Sequence, residues 1–110
     1  MGKSQRTKGA VYEREIVRVL RDVFGDDTER NLSQTRDGGG DIDLPGYLVE
    51  CKRRAGIAVY DWLDQATKTA KPGQTPLVIA RADRRENIII MRLDDFLPLL
   101  RGTNNAKGTD

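Results

Sequence analysis

Asp41-Ile42-Asp43-Leu44-Pro45-Gly46-Tyr47-Leu48-Val49-Glu50-Cys51-Lys52-Arg53 is the stretch that decides the fold. Two alternating segments flank Pro45-Gly46, a turn dipeptide, so the pattern predicts a hairpin of strands over 41–44 and 47–53. With the turn centred on Pro45-Gly46, Leu44 pairs with Tyr47, Asp43 with Leu48, Ile42 with Val49 and Asp41 with Glu50. Side chains directly opposed in this way have Cβ atoms about 4.5–5.5 Å apart. Asp41 and Glu50 are then two acids facing each other across a ladder, which repel unless something cationic lies between them. A hard divalent cation bound by both reverses the sign of that argument. Alternation puts Lys52 on the face of Glu50, and Val49 and Cys51 on the other. Asp43 shares the face of Asp41 but opposes Leu48, which makes it the weaker ligand candidate.

Outward from the hairpin, the N-terminal side carries a helical period over 10–24. Tyr12, Ile16, Val19, Leu20, Val23 and Phe24 recur at helical spacing, and Gly25 is a natural stop. Glu13 falls inside that apolar arc, between Leu20 and Phe24, whereas Arg14, Glu15, Arg18 and Arg21 fall outside it. A carboxylate on a core-facing stripe is costly unless paired or metal-bound. If this helix packs on the Glu50 face of the hairpin, Glu13 is aimed at Asp41 and Glu50. A short edge strand near 30–34 and the loop Arg36-Asp37-Gly38-Gly39-Gly40 lie between helix and hairpin. The triglycine either admits a phosphate backbone or is a plain flexible loop.

On the C-terminal side, Asp61 is positioned to cap a helix over 62–70 that ends before Pro72-Gly73. A continuous apolar run over 76–80 suits a strand covered on both faces. A further strand over 87–92 follows the charged turn Asp83-Arg84-Arg85-Glu86, and Asp94 then caps a short helix with Pro98 near its first turn. The order α-β-β-β-α-β-β-α predicts an α/β fold, a mixed sheet flanked by helices. Trp62 and Tyr60 read as core or dimer-interface residues, and Cys51 as a small core residue.

The chain has 110 residues, one domain's worth, with a folded core expected over 8–100 and flexible tails over 1–7 and 102–110. It has no histidine and one cysteine. Those counts exclude Ser-His-Asp and Cys-His triads, thiolate cages and the usual zinc sites. Hydrolytic chemistry must then run on carboxylates, lysine, tyrosine or metal-bound water. No apolar run is long enough to span a bilayer, and residues 1–9 are polar and basic, so a cytoplasmic, membrane-free protein is expected. There are 19 Lys+Arg against 17 Asp+Glu, a net charge of +2. Assigning Glu13, Asp41, Asp43 and Glu50 to one cation pocket or its edge leaves the rest of the surface clearly basic, as a nucleic-acid partner requires.

Asp41, eight residues, then Glu50-Cys51-Lys52 resembles the signature of the PD-(D/E)xK nuclease superfamily. Lys8-Gly9-Ala10-Val11-Tyr12-Glu13-Arg14-Glu15-Ile16 is similar to the start of the archaeal-type and phage Holliday junction resolvases, and the likeness spans residues 8–92. It implies a restriction-endonuclease-like sheet with an α-β-β-β-α-β core. It implies Glu13, Asp41 and Glu50 as metal-site acids, the Cys51 carbonyl as a further metal ligand and Lys52 as the lysine that positions the attacking water. Gln65 occupies the place of a polar helix residue, and Gly40 stands where the motif name has proline. Mg²⁺, with Mn²⁺ substituting, suits the all-oxygen donor set. The expected activity is structure-selective cleavage of branched DNA at four-way junctions, in recombination or repair, by a phage-type homodimer. Lys8, Arg36, Arg53 and Arg54 are the expected phosphate contacts, together with Gln65. The alternatives are a nicking, flap or restriction-type nuclease on the same fold, and a catalytically silent DNA-binding module.

Overall fold

The computed structural model describes residues 2–25, 28–30 and 40–108, with side chains described over 8–25, 28–30 and 40–102. The elements follow the expected order: α1 (Gly2–Phe24), β1 (Glu29–Arg30), β2 (Ile42–Leu44), β3 (Tyr47–Arg54), α2 (Val59–Thr69), β4 (Thr75–Ala82), β5 (Ile88–Ile90) and α3 (Leu93–Gly108). They build an α/β fold on a five-stranded mixed sheet in the order β1-β2-β3-β4-β5. β3 and β4 run parallel, and the other neighbours are antiparallel. A parallel pair needs a crossover, and α2 supplies it.

The hairpin has the expected ladder of Ile42 with Val49, Asp43 with Leu48 and Leu44 with Tyr47. Pro45-Gly46 makes its turn, with Gly46 at φ +86°, the left-handed backbone that the third position of a type II turn demands. The Gly46 carbonyl also accepts a 2.9 Å hydrogen bond from the Thr75 N–H, which ties the hairpin tip to the start of β4.

Alternation along β3 and β4 sorts the core into two layers. On one face Val49, Leu77 and Ile79 join Ile42 and Leu44 under Tyr12, Ile16 and Val17 of α1, with Leu20 and Cys51 packed alongside. On the other face Leu48, Val78, Ala80 and Ile90 meet Leu63 and Ala66 of α2, with Trp62 against them. Each face of β4 is covered, which is why its sequence is an unbroken apolar run.

Several boundaries differ from the sequence reading. α1 begins at Gly2, well before residue 10, because Gln5, Arg6 and Lys8 are fair helix formers with no proline among them. Its buried stripe is narrower than the apolar arc: Val19, Val23 and Phe24 are exposed. α2 starts earlier, with Ala58 at the N-cap and Asp61 in the first turn, where its charge still meets the positive end of the helix. Asp94 likewise lies in the first turn of α3, and the Arg92 carbonyl takes the first hydrogen bonds, from Asp95 and Phe96. That helix is long, 16 residues, and Pro98 sits inside its second turn, removing the hydrogen bond to the Asp94 carbonyl without ending the helix. Tyr60 is 79% exposed and takes no part in the core. β1 is seen at 29–30; residues 31–39, with Ser33, Thr35, Arg36 and the first two glycines of the loop, lie outside the described residues.

Candidate active site

The hairpin ladder closes at Ile42 and Val49, and just beyond it Asp41 departs from the straight register. Its N–H donates to the Val49 carbonyl at 2.8 Å, although Ile42 is the ladder partner of Val49. Two successive residues thus face one, the mark of a β-bulge, which turns a side chain out of strict alternation. The Asp41 carboxylate uses the turn to accept a 2.8 Å hydrogen bond from the Cys51 N–H through Oδ2. It is therefore held against β3 between the two faces of the sheet, and only 7% of the residue is exposed.

Gly40 makes this approach possible. A Cβ there would meet the Val49 carbonyl oxygen at 2.5 Å and the Val49 nitrogen at 3.0 Å. Both are backbone atoms that cannot swing aside. In this chain the position before Asp41 requires the absence of a side chain, which accounts for glycine in the place that the motif name gives to proline.

Glu50 and Lys52 lie on the α2 face of β3, whereas α1 packs on the face of Val49 and Cys51. This corrects the expected packing of α1 on the Glu50 face. Glu13 reaches the site from the opposite side, and Asp41, at the end of the ladder, is the acid that both others feel. Burial pushes the Glu50 carboxyl up to about 7, with the Asp41 charge and a hydrogen bond to Asp41 adding to it and Lys52 opposing. Burial, then the Asp41 charge, also raises Glu13, offset by Arg30. Two carboxyls coupled this strongly favour a shared proton or a cation at neutral pH, and an oxygen-only pair with a lysine beside it suits a hard divalent ion.

Glu13 is turned partly away from that pair. Its Oε1 accepts a 3.1 Å hydrogen bond from the Arg30 Nε in an ion pair whose side chains are largely buried. Among the described residues, no three His, Cys, Asp or Glu side chains are grouped closely enough to hold a metal ion. Asp41 and Glu50 are brought together with Lys52 nearby; Glu13 borders them at electrostatic range, held by Arg30. Burial, followed by the three acid charges, raises the Cys51 thiol, which packs beneath α1. Asp43 is exposed on the far side of the ladder step from Leu48.

The expected phosphate contacts are distributed differently. Lys8 and Arg53 converge on Asp83, in the turn between β4 and β5, where Lys8 lies at 3.3 Å. These two cations hold the Asp83 carboxyl below its ordinary range. Arg54 is exposed and donates to the Arg53 carbonyl at 3.2 Å. Gln65 is exposed on α2, and Arg36 lies outside the described residues. Arg30 was missed in the sequence, since nothing there fixes how a two-residue edge strand pairs; its alignment with Ile42 places it beside Glu13.

No helix among the described residues is long and apolar enough to cross a membrane. No curated protein and no solved structure matched the chain in comparison. Comparison with protein families matched residues 4–107 to a family described as phage putative PDDEXK endonuclease. Nucleases of this kind act on DNA and are generally divalent-metal dependent. The match takes in α1, the bulged Asp41, the Glu50-Cys51-Lys52 strand and the α2 crossover, and the chain belongs to this PD-(D/E)xK endonuclease family.

Proposed function

We propose that the chain is a Mg²⁺-dependent endonuclease, with Mn²⁺ able to substitute, that hydrolyses phosphodiester bonds at four-way DNA junctions as a homodimer. The observation that carries the reading is the buried Asp41 carboxylate, held on the Cys51 N–H of the strand that carries Glu50 and Lys52. Asp41, Glu50 and the Cys51 carbonyl are the proposed ligands, with Glu13 joining once it leaves Arg30. A bound divalent cation supplies neutralisation of the phosphoryl oxygens and a lower pKa for its water. Asp41, fixed through Oδ2 by the Cys51 N–H, would hold the cation with its remaining carboxylate oxygen. Glu50 would hold the cation as the ionised carboxylate, so its proton, which burial retains up to about 7, would be released to solvent on binding. The Lys52 ammonium orients the attacking water and offsets the negative charge that develops on the phosphoryl group.

Lys8, Arg53 and Arg54 are proposed as phosphate contacts, Lys8 and Arg53 by exchanging Asp83 for a phosphate oxygen; Arg36 and Gln65 complete the set. A four-way junction is two-fold symmetric, so paired cuts call for two sites related by a dyad. The exposed apolar side chains of Tyr60, Leu93, Phe96 and Leu97 offer area for such a contact.

The test is cleavage of labelled four-way junctions and linear duplex of the same sequence, with the mass in solution measured alongside. Preferential, paired cutting of the junction by a dimer is expected. Equal cutting of both substrates assigns the chain to another nuclease class on this fold. Binding without cutting under any divalent ion leaves a silent DNA-binding module.

A further inference from the structure

Beside Glu13, α1 and the edge strand β1 frame an open trough of about 460 Å³, lined by Arg14, Val17, Arg18, Arg21, Glu29 and Arg30. Four guanidinium groups there face one carboxylate. Arg14, Arg18 and Arg21 share one face of α1 because they are spaced four and three residues apart. Like charges at that spacing oppose helix formation, so the stripe does not serve the stability of α1. Arg21 is anchored by a 2.8 Å hydrogen bond from its Nε to the Thr28 carbonyl, and Arg30 by its pair with Glu13. Arg18 makes no hydrogen bond or ion pair with any described residue, and both it and Arg14 are exposed.

This side of α1 is distinct from the side that carries Lys8, Tyr12 and Glu15 toward Arg53. At 1.5 Å of rise per residue, the helix from Arg14 to Arg21 covers about 10 Å, which matches about three 3.4 Å steps of a DNA strand. Arg30 belongs to the trough and is also the ion-pair partner of Glu13. Through the Arg30–Glu13 pair the trough adjoins one of the proposed metal-site acids.

We infer that this trough holds the phosphodiester backbone of the DNA strand flanking the cut, with Arg14 and Arg18 as phosphate contacts and Arg21 and Arg30 as the anchored wall. The inference rests on the nuclease reading and adds to it the path of the substrate. The partner is DNA because the trough presents four spaced guanidinium forks for phosphate oxygens against a single carboxylate.

The experiment measures affinity for labelled duplex against salt, in the full-length Glu50→Gln protein with divalent metal chelated so that no strand is cut. Expected is at least a tenfold loss of affinity for Arg14→Ala/Arg18→Ala at low salt. The slope of log K against log salt should fall by about 2, since each phosphate contact contributes roughly 0.9. Arg14→Lys/Arg18→Lys should keep most of the slope. Arg84→Ala/Arg85→Ala, which removes the same charge from the β4–β5 turn, should leave it unchanged. Equal losses in the two alanine pairs, or an unchanged slope in the first, overturn the trough. The slope change in the Arg14→Ala/Arg18→Ala pair, together with a wild-type chain that cuts no DNA under any divalent ion, keeps the trough and overturns the nuclease reading.

Discussion

The Asp41 carboxylate accepts the Cys51 N–H at 2.8 Å, while the Asp41 N–H donates to the carbonyl of Val49 on the same strand. The residue is thus clamped at both its backbone and its side chain by β3, and its charge is felt by Glu50 on one face and by Glu13 on the other. A fixed carboxylate of this kind loses little freedom on meeting a cation, and preorganisation of that sort is what an electrostatic catalyst needs.

Substituting Lys52 removes the cation that opposes the raised pKa of Glu50. Lys52→Ala should lower kcat for DNA cleavage by about 10²–10³, the range seen when a single charge-stabilising donor is lost. The Kd for DNA should change far less. Single-turnover cleavage alongside equilibrium binding separates the two effects.

Burial, with the Asp41 charge beside it, raises the Glu50 carboxyl from its ordinary range near 4.5 to about 7. The folded chain therefore binds this proton more tightly than the unfolded chain does. Between about pH 4.5 and 7 the folded state holds more protons, so the contribution of Glu50 to stability falls as pH rises and levels off above 7. The metal-free Glu50→Gln protein should melt higher than wild type at pH 8, and the gap should shrink toward pH 5. A gap that widens on acidification contradicts the assignment. Thermal melting of both proteins across this window measures it.

A divalent cation competes with the same proton. Binding of Mg²⁺ or Mn²⁺ should weaken as pH falls below about 7, and each ion bound near pH 6.5 should displace protons. Calorimetric titration in two buffers of different ionisation enthalpy reads the protons released. Glu50→Gln should abolish that release.

Gly40 has no space for a side chain, and the obstructing atoms belong to the Val49 backbone. Gly40→Ala should cost about 1–3 kcal/mol, the usual range for overpacking, and should move Asp41 off the Cys51 N–H. Urea denaturation measures the first effect. The second should appear as weakened cation binding, beyond what the loss of stability explains.

Much of the architecture was legible because the sequence contains strong local signals. Pro45-Gly46 pins the hairpin, and with a period of two it fixes which residues of β2 and β3 share a face. The apolar run of β4 could be placed between two layers for the same reason. Which face α1 covers was not legible: a helical stripe states that a helix packs, and not on which side of a sheet. The bulge at Asp41 was hidden as well, since it depends on Gly40 letting the chain approach Val49. Glu13 stood out as an acid inside an apolar stripe. Its partner Arg30 did not, because a two-residue strand has no pattern to read.

The most direct test of the central claim is single-turnover cleavage of a labelled four-way junction by wild type and Glu50→Gln, each with Mg²⁺ and with the metal chelated. Wild type should cut only when Mg²⁺ is present, and Glu50→Gln should be slower by more than about 100-fold, as expected when a ligand rather than its support is lost. Undiminished cutting by Glu50→Gln, or cutting by wild type in chelator, would contradict an active site built on Asp41, Glu50 and Lys52.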